Sequence, residues 1–216
     1  VTIPAMVTRI GIDAFKGCTS LSTITFESNS QLTEINGNAF RGCTSLASMT
    51  FETNSLLGII GQTAFTGCTN LVSINIPDEV LLLEPLTFSG CTSLNSVTFQ
   101  PTSKLNAIGS QVFVGCTSLE TITIPKTVNT IDSQAFQQCS NLVSVIFEAG
   151  SLVTSIGISA FSQCVKLASF IIPVGVTTIK NSTFFGCSEL LSITIPPGVN
   201  SVESSAFYSC SKLASV

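Results

Sequence analysis

The pattern Phe-x-x-Cys occurs nine times, at Phe15/Cys18, Phe40/Cys43, Phe65/Cys68, Phe88/Cys91, Phe113/Cys116, Phe136/Cys139, Phe161/Cys164, Phe184/Cys187 and Phe207/Cys210. Successive copies are 23 or 25 residues apart. A fixed period of this size marks a solenoid, in which each coil touches only its neighbours and the coils together bury one continuous core. No linker interrupts the repeat, so residues 1–216 read as a single array. The chain opens at Val1 inside a repeat and closes on Leu213-Ala-Ser-Val216, neither of which resembles a polar cap; this is expected to be a segment of something longer, with the possibility of end-to-end self-association.

Each unit has two halves with different periodicities. In Leu119, Ile122 and Ile124 the apolar positions end in an alternation of two, with Thr121 and Thr123 pointing the other way, as in a short strand. One such strand per coil can only align with its copies as a parallel sheet. In the second half, Ile131, Ala135/Phe136, Cys139 and Leu142 fall at offsets of about four, which predicts a short helical or 3-10 turn, with a further extended piece at Val128–Ile131. The expected fold is therefore a right-handed coil of nine repeats, with a parallel sheet on the concave face and short helical turns and short strands elsewhere. Its nine Phe residues would stack inside, each contributing about 2 kcal/mol by burial.

Unit length follows a rule. After Ile3-Pro4, Ile76-Pro77, Ile124-Pro125, Ile172-Pro173 and Ile195-Pro196 the next repeat Phe comes 12 residues beyond the Ile; after Phe26-Glu27, Phe51-Glu52, Phe99-Gln100 and Phe147-Glu148 it comes 14 beyond the Phe. Proline fixes a short turn, whereas the longer loop fills with Ser, Asn, Thr or Gly and closes on Leu32, Leu57, Leu105 or Val153.

The motif Cys-Thr-Ser-Leu-x-Ser-Ile-Thr-Ile-Pro-x-x-Val-x-x-Ile-x-x-x-Ala-Phe-x-x-Cys resembles the BspA-like class of leucine-rich repeat across essentially the whole chain. The resemblance implies a leucine-rich-repeat solenoid and a place at the cell surface or outside the cell. It also implies adhesion to host or matrix proteins, glycans or other microbes.

Chemistry has little to work with. The chain has no His for a triad or a zinc site, and no Gly-rich phosphate loop or fixed carboxylate pair, so no enzyme activity, cofactor or metal is expected. The nine cysteines occupy one equivalent inward position, and coils about 4.8 Å apart hold parallel Cβ atoms too far apart for a disulfide, which favours buried free thiols. A net charge of -4 without a basic cluster gives no hold on nucleic acid. No apolar run reaches the roughly 20 residues of a membrane helix, so membrane insertion is not expected. Glu27 and Glu52 are expected on adjacent coils, either as solvated carboxylates or as sharers of a cation.

The outward strand positions form a hydroxyl carpet that includes Thr121, Thr123, Ser144 and Ser169. Ile146 and Ile171 interrupt it and are expected side by side as an apolar spot, the candidate ligand site on the concave face. Such residues also simply suit a strand. A second candidate patch is Ile59 with Leu81 and Leu82, where Val80-Leu-Leu-Leu83 replaces polar middle residues. Asn181-Ser-Thr183 is the one glycosylation acceptor pattern. Three functions fit: a non-enzymatic adhesion or recognition module, a structural spacer without a ligand, and, more remotely, an ice or mineral binder using Thr ladders.

Overall fold

A computed structural model describes residues 1–215, so that the closing Val216 lies outside the described residues. The chain winds through about nine coils, each of which lays down a first strand of two to four residues (the longer in most coils), a two-residue strand and a run of tight turns. The longer strands form one parallel sheet of five (Thr2–Ile3, Thr23–Phe26, Ser48–Met49, Ser73–Ile76, Ser96–Phe99) and two pairs, Thr121–Ile124 with Ser144–Phe147 and Ser169–Ile171 with Ser192–Thr194. The two-residue strands form a second face: seven in one parallel sheet from Arg9–Ile10 to Ser155–Ile156, then Thr178–Ile179 paired with Ser201–Val202.

Register follows the repeat. Thr121, Ile122, Thr123 and Ile124 lie opposite Ser144, Val145, Ile146 and Phe147, and Ile108 opposite Ile131 and Ile131 opposite Ile156 continue one column on the second face. Alternation sends Ile122 and Ile124 inward and leaves Thr121 and Thr123 exposed.

The third side differs from the expected helical turn: no helix occurs among the described residues. Along Asp132–Cys139 the amides of Ala135, Gln137 and Cys139 close local turns onto the carbonyls of Asp132, Gln134 and Phe136 at 3.3, 3.1 and 3.1 Å. The alternate amides of Gln134, Phe136 and Gln138 instead donate to Ile158, Ala160 and Ser162 of the next coil at 2.9, 2.8 and 2.9 Å. Such alternation requires two left-handed residues per coil, two positions before and two after the repeat Phe, and these cannot sit inside a helix. The first position holds residues such as Asp13, Asn38 and Leu86; the second holds Gly17, Gly42, Gly67, Gly90, Gly115 and Gly186, but Gln138, Gln163 and Ser209 in the other coils.

The core runs the length of the coil. Phe15, Phe40, Phe65, Phe88, Phe113, Phe136, Phe161, Phe184 and Phe207 stack with centroids 5.1–5.8 Å apart, nearly parallel. Offset stacking of this kind adds roughly 0.5–1.5 kcal/mol per pair beyond burial. All nine cysteines are free, Cys18 exposed and Cys210 half-buried at the two ends. From Cys43 onward each thiol donates to the carbonyl of the repeat Phe one coil back, Cys43 Sγ to Phe15 O at 3.0 Å and Cys139 Sγ to Phe113 O at 3.1 Å. Cys thus supplies a small soft side chain with a weak donor, where a larger residue would push the coils apart.

Candidate binding site

The long-strand sheet is interrupted twice, after Ser96–Phe99 and after Ser144–Phe147. At the second interruption the short-strand sheet stops too, between Ser155–Ile156 and Thr178–Ile179. This is the one junction among the described residues where both ladders lapse. The turns still hold it, through Phe161 N to Thr183 O at 2.9 Å and Gln163 N to Phe185 O at 2.7 Å. Asn129, Asp132, Asn200 and Glu203 donate to the coil before them at 2.7–2.9 Å, while the equivalent amides of Thr177 and Lys180 make no such bond among the described residues, as is also true of Leu81 and Glu84 where the short-strand ladder thins to Ile60–Leu83.

One residue sets this junction apart from the others. The inward centre of the long strand is Ile24, Met49, Ile74, Val97, Ile122, Val145 or Ile193 in the other coils and Phe170 here. The Phe170 ring is buried and packs at 4.9 Å from both Phe161 and Phe184, tilted at 58° and 66° to them, and edge-on to Phe147 at 5.8 Å. An aromatic wedged between two rungs of the Phe column needs more room than an aliphatic side chain, and a close-packed interior supplies it by moving backbone.

A cavity of about 410 Å³ opens on the surface above this junction, lined mainly by Ile146, Phe147, Ile171, Ile172, Pro173 and Val174, with Glu148 and Ser151 at its rim. Ile146, Ile171 and Val174 are 52%, 68% and 83% exposed, so apolar carbon faces water at the place where the coils part. Ile146 and Ile171 therefore share a cavity, although their strands are not paired: Ile146 lies opposite Thr123 and Ile171 opposite Thr194. Thr121, Thr123, Ser144 and Ser169 stand on the same face outside the cavity, Thr121 paired with Ser144 and Ser169 with Ser192. Val174 had no strand signal to reveal it, because it sits in the short turn closed by Val176 N to Pro173 O at 3.0 Å.

The second candidate patch lies on the short-strand face, where Ile59, Leu81 and Leu82 are 46%, 56% and 38% exposed beside a ladder thinned to the single registered pair Ile60–Leu83. Glu27 and Glu52 do occupy adjacent coils, but each carboxylate reaches back one coil. Glu27 accepts from Ala5 N at 3.0 Å, Glu52 accepts from Asn29 N at 3.1 Å with both oxygens, and Glu148 accepts from Lys126 N at 2.9 Å. The acid that opens a long loop thus clamps the turn of the preceding coil.

The buried thiols are unsuited to nucleophilic chemistry. Burial pushes Cys68 up to about 12, with Cys43 adding to the rise, and holds Cys91, Cys116, Cys139 and Cys164 well above the ordinary thiol value. Among the described residues no group of three or more His, Cys, Asp or Glu side chains is placed to hold a metal ion, and no helix is long and apolar enough to cross a membrane.

Six copies of the BspA type leucine-rich repeat region match the chain, over residues 1–105, 58–190 and 106–216. Comparison with curated proteins finds no match. Among solved structures, a leucine-rich repeat protein of T. pallidum is 27% identical, with 89% of this chain and 77% of that chain covered and a TM-score of 0.67. A leucine-rich cell surface protein of Faecalibacterium prausnitzii A2-165 is 27% identical, with 99% and 77% covered and a TM-score of 0.49. The pneumococcal vaccine antigen PcpA is 22% identical, with 98% and 60% covered and a TM-score of 0.50, a likeness of fold. Matched along its whole length by the repeat model, the chain belongs to the BspA type leucine-rich repeat family.

Proposed function

We propose that this array is a non-enzymatic recognition module of a cell-surface protein, and that it binds a host or matrix protein by taking one of that protein's apolar side chains into the cavity between Ile146 and Ile171. The observation that carries the reading is the coincidence at one junction of two lapsed ladders, a wedged Phe170 and a cavity walled by exposed Ile146, Ile171 and Val174. Solvent-facing apolar surface gathered in a concavity gains about 25 cal/mol for each Å² that a partner covers. Glu148 and Ser151 at the rim offer acceptors to polar groups flanking the inserted side chain. The surface location rests on membership of the family and on what its resemblance implies.

The test is binding of the purified chain to a panel of extracellular-matrix and cell-surface glycoproteins, beside the Ile146→Asp/Ile171→Asp variant. A central apolar contact is worth about 2 kcal/mol or more, so a bound partner should weaken at least about thirtyfold in the variant. Equal binding by both proteins would move recognition away from the cavity. Binding by neither would favour a spacer.

A further inference from the structure

Of the four long loops, only those after Phe26 and Phe51 fall on consecutive coils; those after Phe99 and Phe147 are flanked by short Pro turns. Between the consecutive pair lies a second, wholly different concavity of about 500 Å³, lined by Asn29, Gln31, Glu52, Thr53, Asn54 and Leu56, with Ser30 at its edge. Its volume falls in the range of small-ligand sites, roughly 300–1,000 Å³.

The loops meet their own backbone needs. Ser30 Oγ and Ser55 Oγ accept from the amides of Leu32 and Leu57 at 3.4 and 3.3 Å, Gln31 Nε2 donates to Asn29 O at 2.9 Å, and the Glu52 carboxylate holds Asn29 N from the neighbouring coil. What remains unpaired among the described residues is a set of side-chain groups directed to solvent: the amides of Asn29 and Asn54 and the hydroxyl of Thr53. Each amide presents both donors and an acceptor, and a hydroxyl presents both, so the set matches ligand hydroxyls, which are themselves both donor and acceptor. Leu56 is 48% exposed and gives the groove one apolar surface, suited to the C–H face of a sugar ring. No Lys or Arg lines the groove, and its single charge is the Glu52 carboxylate, which disfavours anionic ligands.

We infer that this groove is a binding site for a neutral saccharide, separate from the apolar cavity and independent of it. Asn29 and Asn54 hold the hydroxyls, Thr53 adds a third polar contact, and Leu56 packs against the ring.

The experiment is a glycan array carrying neutral, sialylated and sulfated oligosaccharides, probed with the wild-type chain, with Asn29→Gly/Asn54→Ala, and with Ile146→Asp/Ile171→Asp. Asn29 has a φ of 61°, so glycine removes its amide without straining the turn. The wild type should bind neutral glycans, the Asn29→Gly/Asn54→Ala variant should lose at least about tenfold in affinity while keeping its circular dichroism and melting temperature, and the cavity variant should bind glycans as the wild type does. Loss of two hydrogen-bonding amides accounts for such a factor. The inference is overturned if no neutral glycan binds, if only acidic glycans bind, or if the amide-deleted variant binds undiminished. Loss of glycan binding in the cavity variant alone would likewise overturn it, by placing the sugar at the other site.

Discussion

The rings of Phe170 and Phe184 lie 4.9 Å apart at 66° within one coil, where the strand centres of the other coils carry Ile, Met or Val. Phe170 therefore puts a buried ring against the Phe column where the other coils place a smaller side chain. Lapse of both ladders, loss of the amide bonds of Thr177 and Lys180, and the cavity at Ile146 and Ile171 all lie at this one junction.

Positions in the left-handed region give an opposed pair of expectations. Gln138 (φ 61°) stands where Gly115 (φ 71°) stands one coil earlier. A side chain in that region costs about 1–2 kcal/mol, against about 0.5–1 kcal/mol for the greater chain entropy of glycine in the unfolded state. Gln138→Gly should stabilise by about 0.5 kcal/mol, and Gly115→Ala should destabilise by about 1 kcal/mol. Urea unfolding measures both, and two shifts of the same sign would refute the argument.

Carboxylate clamps predict the cost of breaking a coil-to-coil contact at an exposed edge. Glu148→Ala removes the acceptor of Lys126 N and should lower stability by about 1 kcal/mol, whereas Glu148→Gln keeps an acceptor and should lose less. Thermal denaturation of the two variants beside wild type is sufficient. Equal losses would assign the effect to charge alone.

The thiol column makes stability depend on alkaline pH. Burial raises the folded-state value of Cys68 from an ordinary 9.0 to about 12, so the thiol stays neutral when folded and ionises more easily when unfolded. Its contribution is fully present below about pH 9 and is lost as pH rises from about 9 towards 12, by up to about 1.4 kcal/mol per unit for each such site. Cys139, raised well above the same value by burial, behaves alike. The slope of unfolding free energy against pH between 8 and 10.5 should be shallower in Cys139→Ala than in wild type. An unchanged slope would contradict the assignment. In native protein at pH 8 a thiol reagent should label exposed Cys18 first and leave Cys116 and Cys164 unlabelled until unfolding.

Legibility in the sequence follows from what the repeat averages. Nine copies make the inward Ile, Phe and Cys columns and the outward Thr positions readable, because every copy obeys the same alternation. The turn side misleads, since Ile131, Phe136 and Cys139 at offsets of about four suit a helix as well as a chain of turns. The six glycines two residues after the repeat Phe carry the missing signal, a left-handed residue in the middle of the supposed helix. The placing of Ile146 and Ile171 on one surface is legible from alternation alone, but Val174 and the depth of the cavity are not. Val174 sits in a turn outside any alternation, and Phe170 beneath the junction stands out only against the Ile, Met and Val of its column. The reach of Glu52 to Asn29 is equally invisible to periodicity, because it joins a side chain to backbone 23 residues earlier.

The most direct measurement of the central claim is residue-resolved native-state hydrogen exchange on wild type and Phe170→Ile. In wild type the amides of Thr177 and Lys180 should exchange much faster than their equivalents Asn129, Asp132, Asn200 and Glu203, which donate across coils. In Phe170→Ile, with an aliphatic residue restored to the column, Thr177 and Lys180 should slow towards those equivalents as the ladders close. Protection of Thr177 and Lys180 equal to that of these four amides in wild type would contradict the account, as would fast exchange that persists unchanged once the wedge is gone.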